Sequence, residues 1–172
     1  MNRLQLYTGG GKGKTSAAMG AALRALGHGW PVLIAQWMKD GTSGEVRPLR
    51  QLGAEVLHAP KCGFTFRMDE ETLRRTAREQ EAFAQEVGAR MLRTHPRLIV
   101  LDELATALGT GLVADETAQM LIRAALREGE TLVTGGTAPG WLAELADYHT
   151  ELRPLRHPFA REGLEGREGI EW

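Results

Sequence analysis

Hydrophobic and polar residues follow two kinds of pattern along this chain, and the two patterns alternate. Residues 98–101 form a continuous apolar run, Leu-Ile-Val-Leu, which is typical of a strand buried on both faces of a parallel sheet. Over residues 69–93, in contrast, apolar side chains recur every three or four positions, as on the inner face of a helix. The predicted strands cover residues 4–7, 32–35, 54–59, 98–101, 131–134 and 150–155, and the predicted helices cover residues 15–26, 69–93, 115–128 and 139–146.

This alternation predicts the fold class. Strands that alternate with helices along a chain build a parallel sheet with helices packed on its faces. We therefore expect an α/β fold with a mostly parallel sheet of about six strands flanked by helices. Asp69 and Asp115 stand at the start of the predicted helices 69–93 and 115–128, and each is expected to cap its helix.

Length, charge and cysteine content narrow the class of protein. The chain has 172 residues, which fits a single domain over residues 1–172. A net charge of −1 favours neither nucleic acid nor a membrane surface as a partner, and no apolar run approaches the roughly 18 residues of a membrane span. Cys62 is the single cysteine, and the sequence runs from Met1 directly into the first predicted strand. We therefore expect a cytoplasmic protein without disulfides.

A glycine-rich segment lies between the first predicted strand and the first predicted helix. The backbone N–H groups of such a loop can surround an anion, and the helix N-terminus adds partial positive charge. Lys14 is placed to reach distal phosphates, and the hydroxyl of Thr15 is placed to bind Mg²⁺. The usual pattern has a glycine five positions before Gly13, where this chain has Thr8, so the loop is a variant. The predicted residues that bind a nucleoside triphosphate are Gly9, Gly10, Gly11, Lys12, Gly13, Lys14, Thr15 and Ser16.

Two carboxylates, Asp102 and Glu103, follow the apolar run 98–101. We expect this strand to lie beside the strand that carries the glycine-rich loop, so that its acidic end faces a bound Mg²⁺ or Mn²⁺. Asp102 would orient a metal-bound water or Thr15, and Glu103 would bind the metal through water or act as a base. Thr15, Asp102 and Glu103 thus form the predicted metal site. Kinases, ATPases and nucleotide-dependent switches share these parts, so the reaction stays open at this point.

Further segments resemble one family. The loop with lysines at positions 12 and 14 is similar to the phosphate-binding loop of the ATP:corrinoid adenosyltransferases of the cobalamin pathway, which also lacks the first glycine. Segments such as Gln-Trp-Met-Lys at 36–39 and Gly-Phe-Thr-Phe at 63–66 follow with the family's spacing. The resemblance implies a P-loop NTPase fold of the RecA-like kind. The matching segments after the loop are residues 25–29, 36–39, 44–45, 63–66, 101–103, 133–135, 145–147, 151–154, 157–159 and 169–171.

The resemblance implies a specific reaction. A corrinoid in the Co(I) state attacks C5′ of ATP, inorganic triphosphate leaves, and a cobalt–carbon bond to 5′-deoxyadenosine forms. ATP and the corrinoid are then the two substrates. The loop would hold the triphosphate, and Lys12, Lys14 and Mg²⁺ on Thr15 would neutralise the charge of the leaving group.

The resemblance also implies a corrinoid side of the site. Phe64 and Phe66 match an aromatic pair that packs below the corrin ring and displaces the lower axial ligand of cobalt, which brings reduction from Co(II) to Co(I) within reach of cellular reductants. An electron-donating reductase is therefore an implied partner, and the family implies a homodimer. Arg153 also matches a family position and is a possible phosphate contact.

The chain departs from the family pattern around the predicted pocket. Phe66 stands in place of Trp, Ala105 and Thr106 stand where polar and aromatic residues are usual, and Gly136 stands where a basic residue is common. We therefore expect a corrinoid pocket of altered shape. Two other functions stay open: a P-loop kinase or ATPase that releases ADP, and a non-catalytic carrier that binds ATP and a corrinoid.

Overall fold

The computed structural model describes residues 1–63, 65–164 and 166–170, and six strands of these residues form one sheet. The strands are β1 (Leu4–Thr8), β2 (Val32–Gln36), β3 (Glu55–His58), β4 (Leu98–Asp102), β5 (Glu130–Thr134) and β6 (Tyr148–Glu151). Their order across the sheet is β3-β2-β4-β5-β1-β6, and all neighbouring pairs are parallel. The predicted α/β fold is confirmed.

Helices connect the strands. They are α1 (Lys14–Gly27), α2 (Val46–Gln51), α3 (Glu70–Thr94), α4 (Leu104–Gly109), α5 (Asp115–Glu128), α6 (Gly140–Leu145) and α7 (Pro158–Glu162), with one 3₁₀ turn at Thr65–Arg67. The periodicity predicts α1, α3, α5 and α6 but not α2, α4 and α7. These three have five or six residues each, which is less than two turns and too short to show a helical period.

The two faces of the sheet carry separate cores. Alternate residues of β4 point to opposite faces, so that Ile99 and Leu101 join the core covered by α3 and α5, while Leu98 and Val100 join the core covered by α1 and α2. On the first face the ring of Trp37 meets Phe83 of α3 edge-on, with the ring centroids 4.9 Å apart. Because Trp37 directly follows β2, this contact fixes the chain at the carboxyl end of the sheet.

The sequence-based prediction that β4 lies beside β1 is wrong, because β5 lies between them. The acidic end of β4 nevertheless reaches the glycine-rich loop. Helix α1 begins at the loop and packs across both β4 and β5, and β5 ends in the small residue Thr134, whose Oγ1 donates to Asp102 Oδ1 at 2.7 Å. The intervening strand thus connects the two halves of the predicted site.

The last strand also differs from its prediction. It covers Tyr148–Glu151 rather than residues 150–155, in parallel register with β1 from Gln5 to Thr8. The amide of Leu152 still donates to Thr8. Two residues later Pro154 has no N–H to continue the ladder.

Of the two predicted helix caps, one is confirmed. Asp69 precedes α3, and its Oδ1 accepts from the backbone N–H of Thr72 at 2.8 Å. Asp115 instead is the first residue of α5, and the capping position belongs to Ala114. The carboxylate of Asp115 therefore lies in the first turn of α5, where it interacts favourably with the positive end of the helix dipole.

Candidate active site

The glycine-rich loop joins the end of β1 to the start of α1 with a backbone that other residues rarely adopt. Gly9 and Gly13 have φ of 104° and 116°, and Gly13 is the N-cap residue of α1 in a left-handed conformation. The first N–H groups of a helix have no partner within the helix, so those of Lys14, Thr15 and Ser16 open toward the loop. This arrangement is suited to an anion.

The loop packs against the segment that follows β6. The amide of Gly11 donates to the carbonyl oxygen of Leu152 at 2.8 Å, and the amide of Gly9 donates to that of Gly136 at 2.7 Å. A Cβ atom on Gly9 or Gly11 would lie 2.3 Å or 2.6 Å from the Leu152 oxygen, which no side chain tolerates. These two glycines are therefore required by close packing of backbone on backbone.

Lys14 lies over the loop, and its side chain is half-buried. Its Nζ donates to the carbonyl oxygens of Gly9 at 2.7 Å and Gly11 at 2.8 Å. The ammonium is thereby held at the centre of the loop. Lys12 and Ser16, two further predicted contacts of the nucleotide, have exposed side chains.

Asp102 is the centre of a buried polar cluster. Its side chain is fully buried, and its Oδ1 accepts from the hydroxyls of Thr15 at 2.9 Å and Thr134 at 2.7 Å. Its Oδ2 accepts from Gln36 Nε2 at 3.1 Å and from Lys39 Nζ at 2.6 Å. The structure therefore brings Thr15 and Asp102 together, as the sequence predicts, and adds three further partners.

Glu103 follows Asp102 with φ of 61° and is the N-cap residue of α4. Its backbone N–H donates to Thr134 Oγ1 at 2.9 Å, and its Oε2 accepts from Thr106 Oγ1 at 2.5 Å. The same Thr106 hydroxyl accepts from the amide of Gly136 at 2.9 Å. Glu103 is thus held at the carboxyl end of the sheet, next to Asp102.

Two of the departures from the family pattern have a structural role next to Glu103. Ala105 is fully buried, and a Cβ atom on Gly135 would lie 2.6 Å from its side chain and 2.4 Å from the amide of Thr106. The start of α4 therefore packs directly on the segment after β5. Ala105 belongs to the core, and Thr106 links Glu103 to Gly136.

A cleft of about 1040 Å³ opens beside Thr15. Lys61 and Asp40 form an ion pair at its edge, with Nζ and Oδ2 2.7 Å apart. The hydrogen bonds from Lys61 and Thr42 lower the pKa of Asp40 well below its usual range. The lining combines the loop, the segment after β2 and the C-terminal part of the chain: Thr15, Ser16, Met19, Met38, Lys39, Asp40, Thr42, Ser43, Gly44, Glu45, Lys61, Gly169 and Ile170.

The remaining predicted site residues are Phe64, Phe66 and Arg153. Phe64 lies outside the described residues. Phe66 belongs to the 3₁₀ turn and is 77% exposed, with the guanidinium carbon of Arg67 5.4 Å from its ring centroid. Arg153 pairs with Glu151, whose Oε2 accepts from its Nε at 2.8 Å and Nη2 at 2.7 Å. The side chain of Arg153 therefore contacts Glu151, although its backbone lies against Gly11.

The donor set of the cluster fits Mg²⁺ or Mn²⁺. Thr15, Asp102 and Glu103 offer hydroxyl and carboxylate oxygens, the hard ligands that these ions prefer. Among the described residues no group of three or more His, Cys, Asp or Glu side chains could hold a metal by itself. Mg²⁺ in nucleotide sites takes only one or two carboxylates and completes its shell with phosphates and water, so the set is sufficient.

Sequence reasoning missed the roles of Gln36, Lys39 and Thr134. All three stand at or just after the carboxyl ends of β2 and β5, the strands that flank β4. The signal was present, because segments 36–39 and 133–135 are among those that resemble the family. What the sequence lacked was the strand order that points these side chains at Asp102.

These features define a P-loop nucleotide-binding protein. They are a parallel sheet flanked by helices, a glycine-rich loop, a Lys-Thr pair at the start of a helix and a carboxylate that accepts a hydrogen bond from the threonine. Among the described residues no helix is long and apolar enough to cross a membrane. The family model of the ATP:corrinoid adenosyltransferases BtuR/CobO/CobP matches residues 1–172, and the chain belongs to this family.

Individual relatives agree with the family. A corrinoid adenosyltransferase of Pseudomonas aeruginosa is 35% identical over 172 residues, which cover 98% of this chain and 83% of the relative. Corrinoid adenosyltransferase CobA of Salmonella typhimurium is 36% identical, with 97% and 84% covered. A corrinoid adenosyltransferase of a Sinorhizobium species is 28% identical, with 96% and 78% covered.

Proposed function

We propose that this protein is a corrinoid adenosyltransferase that transfers the 5′-deoxyadenosyl group of ATP to the Co(I) centre of a corrinoid. The cobalt–carbon bond forms as the bond from C5′ to the triphosphate oxygen breaks. Triphosphate leaves with the bonding electron pair, and cobalt passes formally from Co(I) to Co(III). The observation that carries the proposal is the Thr15–Asp102 contact at the end of the P-loop, in a chain of this family.

The loop is the proposed site for the triphosphate. The N–H groups at the start of α1 and the ammonium of Lys14, which lies over the loop, are proposed to bind the anion. Lys12 and Ser16, whose side chains are exposed, are further proposed contacts of this leaving group, whereas the amides of Gly9 and Gly11 bond to Gly136 and Leu152. Charge that builds on the departing triphosphate is stabilised by groups already fixed in place, which lowers the barrier to transfer.

Thr15, Asp102 and Glu103 are the residues proposed to hold Mg²⁺ or Mn²⁺. When bound, the ion neutralises phosphate oxygens and fixes their position. Asp102 contributes through its bond to the Thr15 hydroxyl, which sets the rotamer of that side chain. Thr106 contributes by donating a hydrogen bond that holds the Glu103 carboxylate in place.

The cleft beside Thr15 is the proposed place where C5′ of ATP meets the corrinoid. It is continuous with the loop and large enough for a sizeable ligand. The segment with Phe64 and Phe66 is proposed to bind the lower face of the corrin, since the exposed ring of Phe66 offers apolar area. A reductase that supplies electrons to cobalt and a homodimeric assembly are further parts of the proposal that come from the family resemblance. A location in the cytoplasm is also proposed, because Cys62 is the single cysteine of the sequence.

The rival function is phosphoryl transfer by a kinase or ATPase. The two reactions differ in which bond of ATP breaks, so phosphorus products separate them. The protein, ATP, Mg²⁺ and a chemically reduced corrinoid are mixed without oxygen, and products are followed by phosphorus NMR. Intact triphosphate supports the proposal, whereas ADP with phosphate or a phosphorylated acceptor supports the rival; a chelator should stop the reaction, and Mg²⁺ or Mn²⁺ should restore it.

A further inference from the structure

The ammonium of Lys39 occupies an unusual place. Its Nζ lies 2.6 Å from Asp102 Oδ2 and 3.0 Å from Thr15 Oγ1. These two residues are the ones proposed above to hold the divalent cation. The ammonium of Lys39 therefore contacts oxygen atoms of the same two residues that are proposed to bind the metal cation.

Asp102 needs a counterion in the absence of a metal. Its carboxylate is fully buried, and an ionised group removed from water is costly unless it is paired and hydrogen-bonded. Among the described residues Lys39 forms its only salt bridge. The hydroxyls of Thr15 and Thr134 and the amide of Gln36 provide hydrogen bonds but no charge.

Lys39 is also free to leave this place. It follows β2 on the segment that lines the cleft, and its side chain is 24% exposed. A flexible four-carbon stem carries the ammonium, so a change of rotamer moves the charge from Asp102 into the cleft. Gln36 and Thr134 would keep Asp102 in position after such a move.

We propose that Lys39 is an exchangeable internal counterion and a positioning residue of the metal site. Before the metal arrives, its ammonium holds Thr15 and Asp102 together in the geometry of ligands. The ammonium of Lys39 would move into the cleft when a divalent cation binds, because two cations that share the same ligands repel each other strongly. The inference rests on the proposed metal site at Thr15 and Asp102.

The proposal predicts that Lys39 competes with the metal. In Lys39→Met no ammonium competes with the metal for the buried carboxylate of Asp102. We therefore expect the dissociation constant for Mn²⁺, measured by electron paramagnetic resonance without nucleotide, to fall by about tenfold or more. Thermal unfolding should show the same coupling, with a larger rise in melting temperature on addition of Mn²⁺ than in the wild-type protein. A residue that only supports the fold would not make metal binding tighter.

Two matched variants serve as controls. Lys39→Arg keeps the charge, and we expect its Mn²⁺ affinity to stay close to that of the wild type. Lys61→Met removes one positive charge from the same cleft but leaves Asp102 paired, and it should change the Mn²⁺ affinity far less. Equal tightening in Lys61→Met would show a general effect of cleft charge and overturn the role of Lys39.

A measurement on the wild-type protein covers the case in which Lys39→Met does not fold. A crystal structure with Mg²⁺ and inorganic triphosphate should show Lys39 Nζ separated from Asp102 Oδ2 by more than a salt-bridge distance. An ion pair that persists beside bound metal overturns the proposal, as does weaker or unchanged Mn²⁺ binding in Lys39→Met. If neither wild type nor variant binds Mn²⁺ even with triphosphate, the proposed metal site fails, and the role of Lys39 fails with it.

Discussion

Neighbouring glycines of the loop have different surroundings although they are the same residue type. A Cβ atom on Gly11 would lie 2.6 Å from the Leu152 carbonyl oxygen, whereas a Cβ atom on Gly10 would meet nothing within 4 Å. We expect Gly11→Ala to lower the free energy of unfolding by about 1–3 kcal/mol, because the loop must move away from the segment after β6. Gly10→Ala is the matched control and should unfold within about 0.5 kcal/mol of the wild type in urea titrations; equal losses in both would argue against the close contact.

Lys14 is the residue on which we expect the proposed triphosphate site to depend most. Its ammonium is held by the carbonyl oxygens of Gly9 and Gly11 at the centre of the loop. We expect Lys14→Ala to weaken binding of inorganic triphosphate, measured by calorimetry, and to lower the transfer rate at least about a hundredfold. Arg123→Ala removes one positive charge from the exposed face of α5 and should change neither quantity; wild-type activity in Lys14→Ala would refute the assignment of the loop.

Phe66 tests the corrinoid side of the site. We expect Phe66→Ala to impair transfer to a corrinoid supplied as Co(II) with a protein reductant, since an apolar wedge below the ring would be lost. Chemically reduced Co(I) corrinoid should still react at a rate close to that of the wild type. Met120→Ala, which truncates another exposed apolar side chain on α5, should leave both rates unchanged. Equal losses in Phe66→Ala with both forms of corrinoid would contradict a role of Phe66 in the reduction of Co(II).

At this scale the sequence predicts types of residue better than contacts. The motif indicates Lys14 and Thr15, because loop, lysine and threonine are adjacent in the chain. Gln36 and Lys39 reach Asp102 from a position more than 60 residues away, and only the strand order brings them there. Arg153 shows the converse, since a basic residue near the loop in space pairs with its own neighbour Glu151.

Asp147 joins two elements at the start of the sheet. Its Oδ2 accepts from the backbone N–H of Leu4 at 2.9 Å, and its Oδ1 accepts from Arg3 Nη1 at 2.6 Å. These bonds, first that of Leu4 and then that of Arg3, lower the pKa of the carboxyl below its ordinary value. A lowered pKa stabilises the folded state above the pKa of the unfolded chain, and this stabilisation is lost as the pH falls through the folded value.

Asp147→Asn should therefore lower the free energy of unfolding at neutral pH, and its deficit relative to the wild type should shrink below about pH 4. Urea titrations across this range measure the difference. Glu144→Gln on the exposed side of α6 removes the same charge without touching these bonds and should show little pH-dependent deficit. A deficit in Asp147→Asn that stays constant at acidic pH would contradict the role of the carboxylate.

Elements with a clear pattern of apolar residues are predictable from the sequence, whereas their neighbours in space are not. The apolar run 98–101 indicates β4, and the helical period indicates α3, because each pattern repeats over its whole length. The order that places β5 between β1 and β4 leaves no mark in β4 or β5, since β4 is buried along its whole length and β5 is buried after its first residue. The register of β6 likewise depends on pairing with β1 rather than on its own residues, all four of which are exposed.

The whole molecule combines a hydrogen-bonded loop, the proposed triphosphate site, with an open cleft. The loop, β4 and β5 are connected by buried hydrogen bonds around Asp102, while the cleft is lined by segments between the strands. This division suits a reaction in which one substrate must be fixed by its leaving group and the other must enter from outside. The loop does not define the reaction by itself, because kinases and ATPases share it. Membership of the family defines which reaction this is.

Formation of the cobalt–carbon bond tests this account most directly. The protein is mixed without oxygen with chemically reduced cobalamin, Mg²⁺ and ATP that carries ¹³C at C5′, and the corrin spectrum and carbon NMR are followed together. We expect a light-sensitive alkylcobalt product whose labelled carbon is bound to cobalt, with one triphosphate released per product. Binding of both substrates without this product, or label that stays bound to phosphate in ADP, would contradict it.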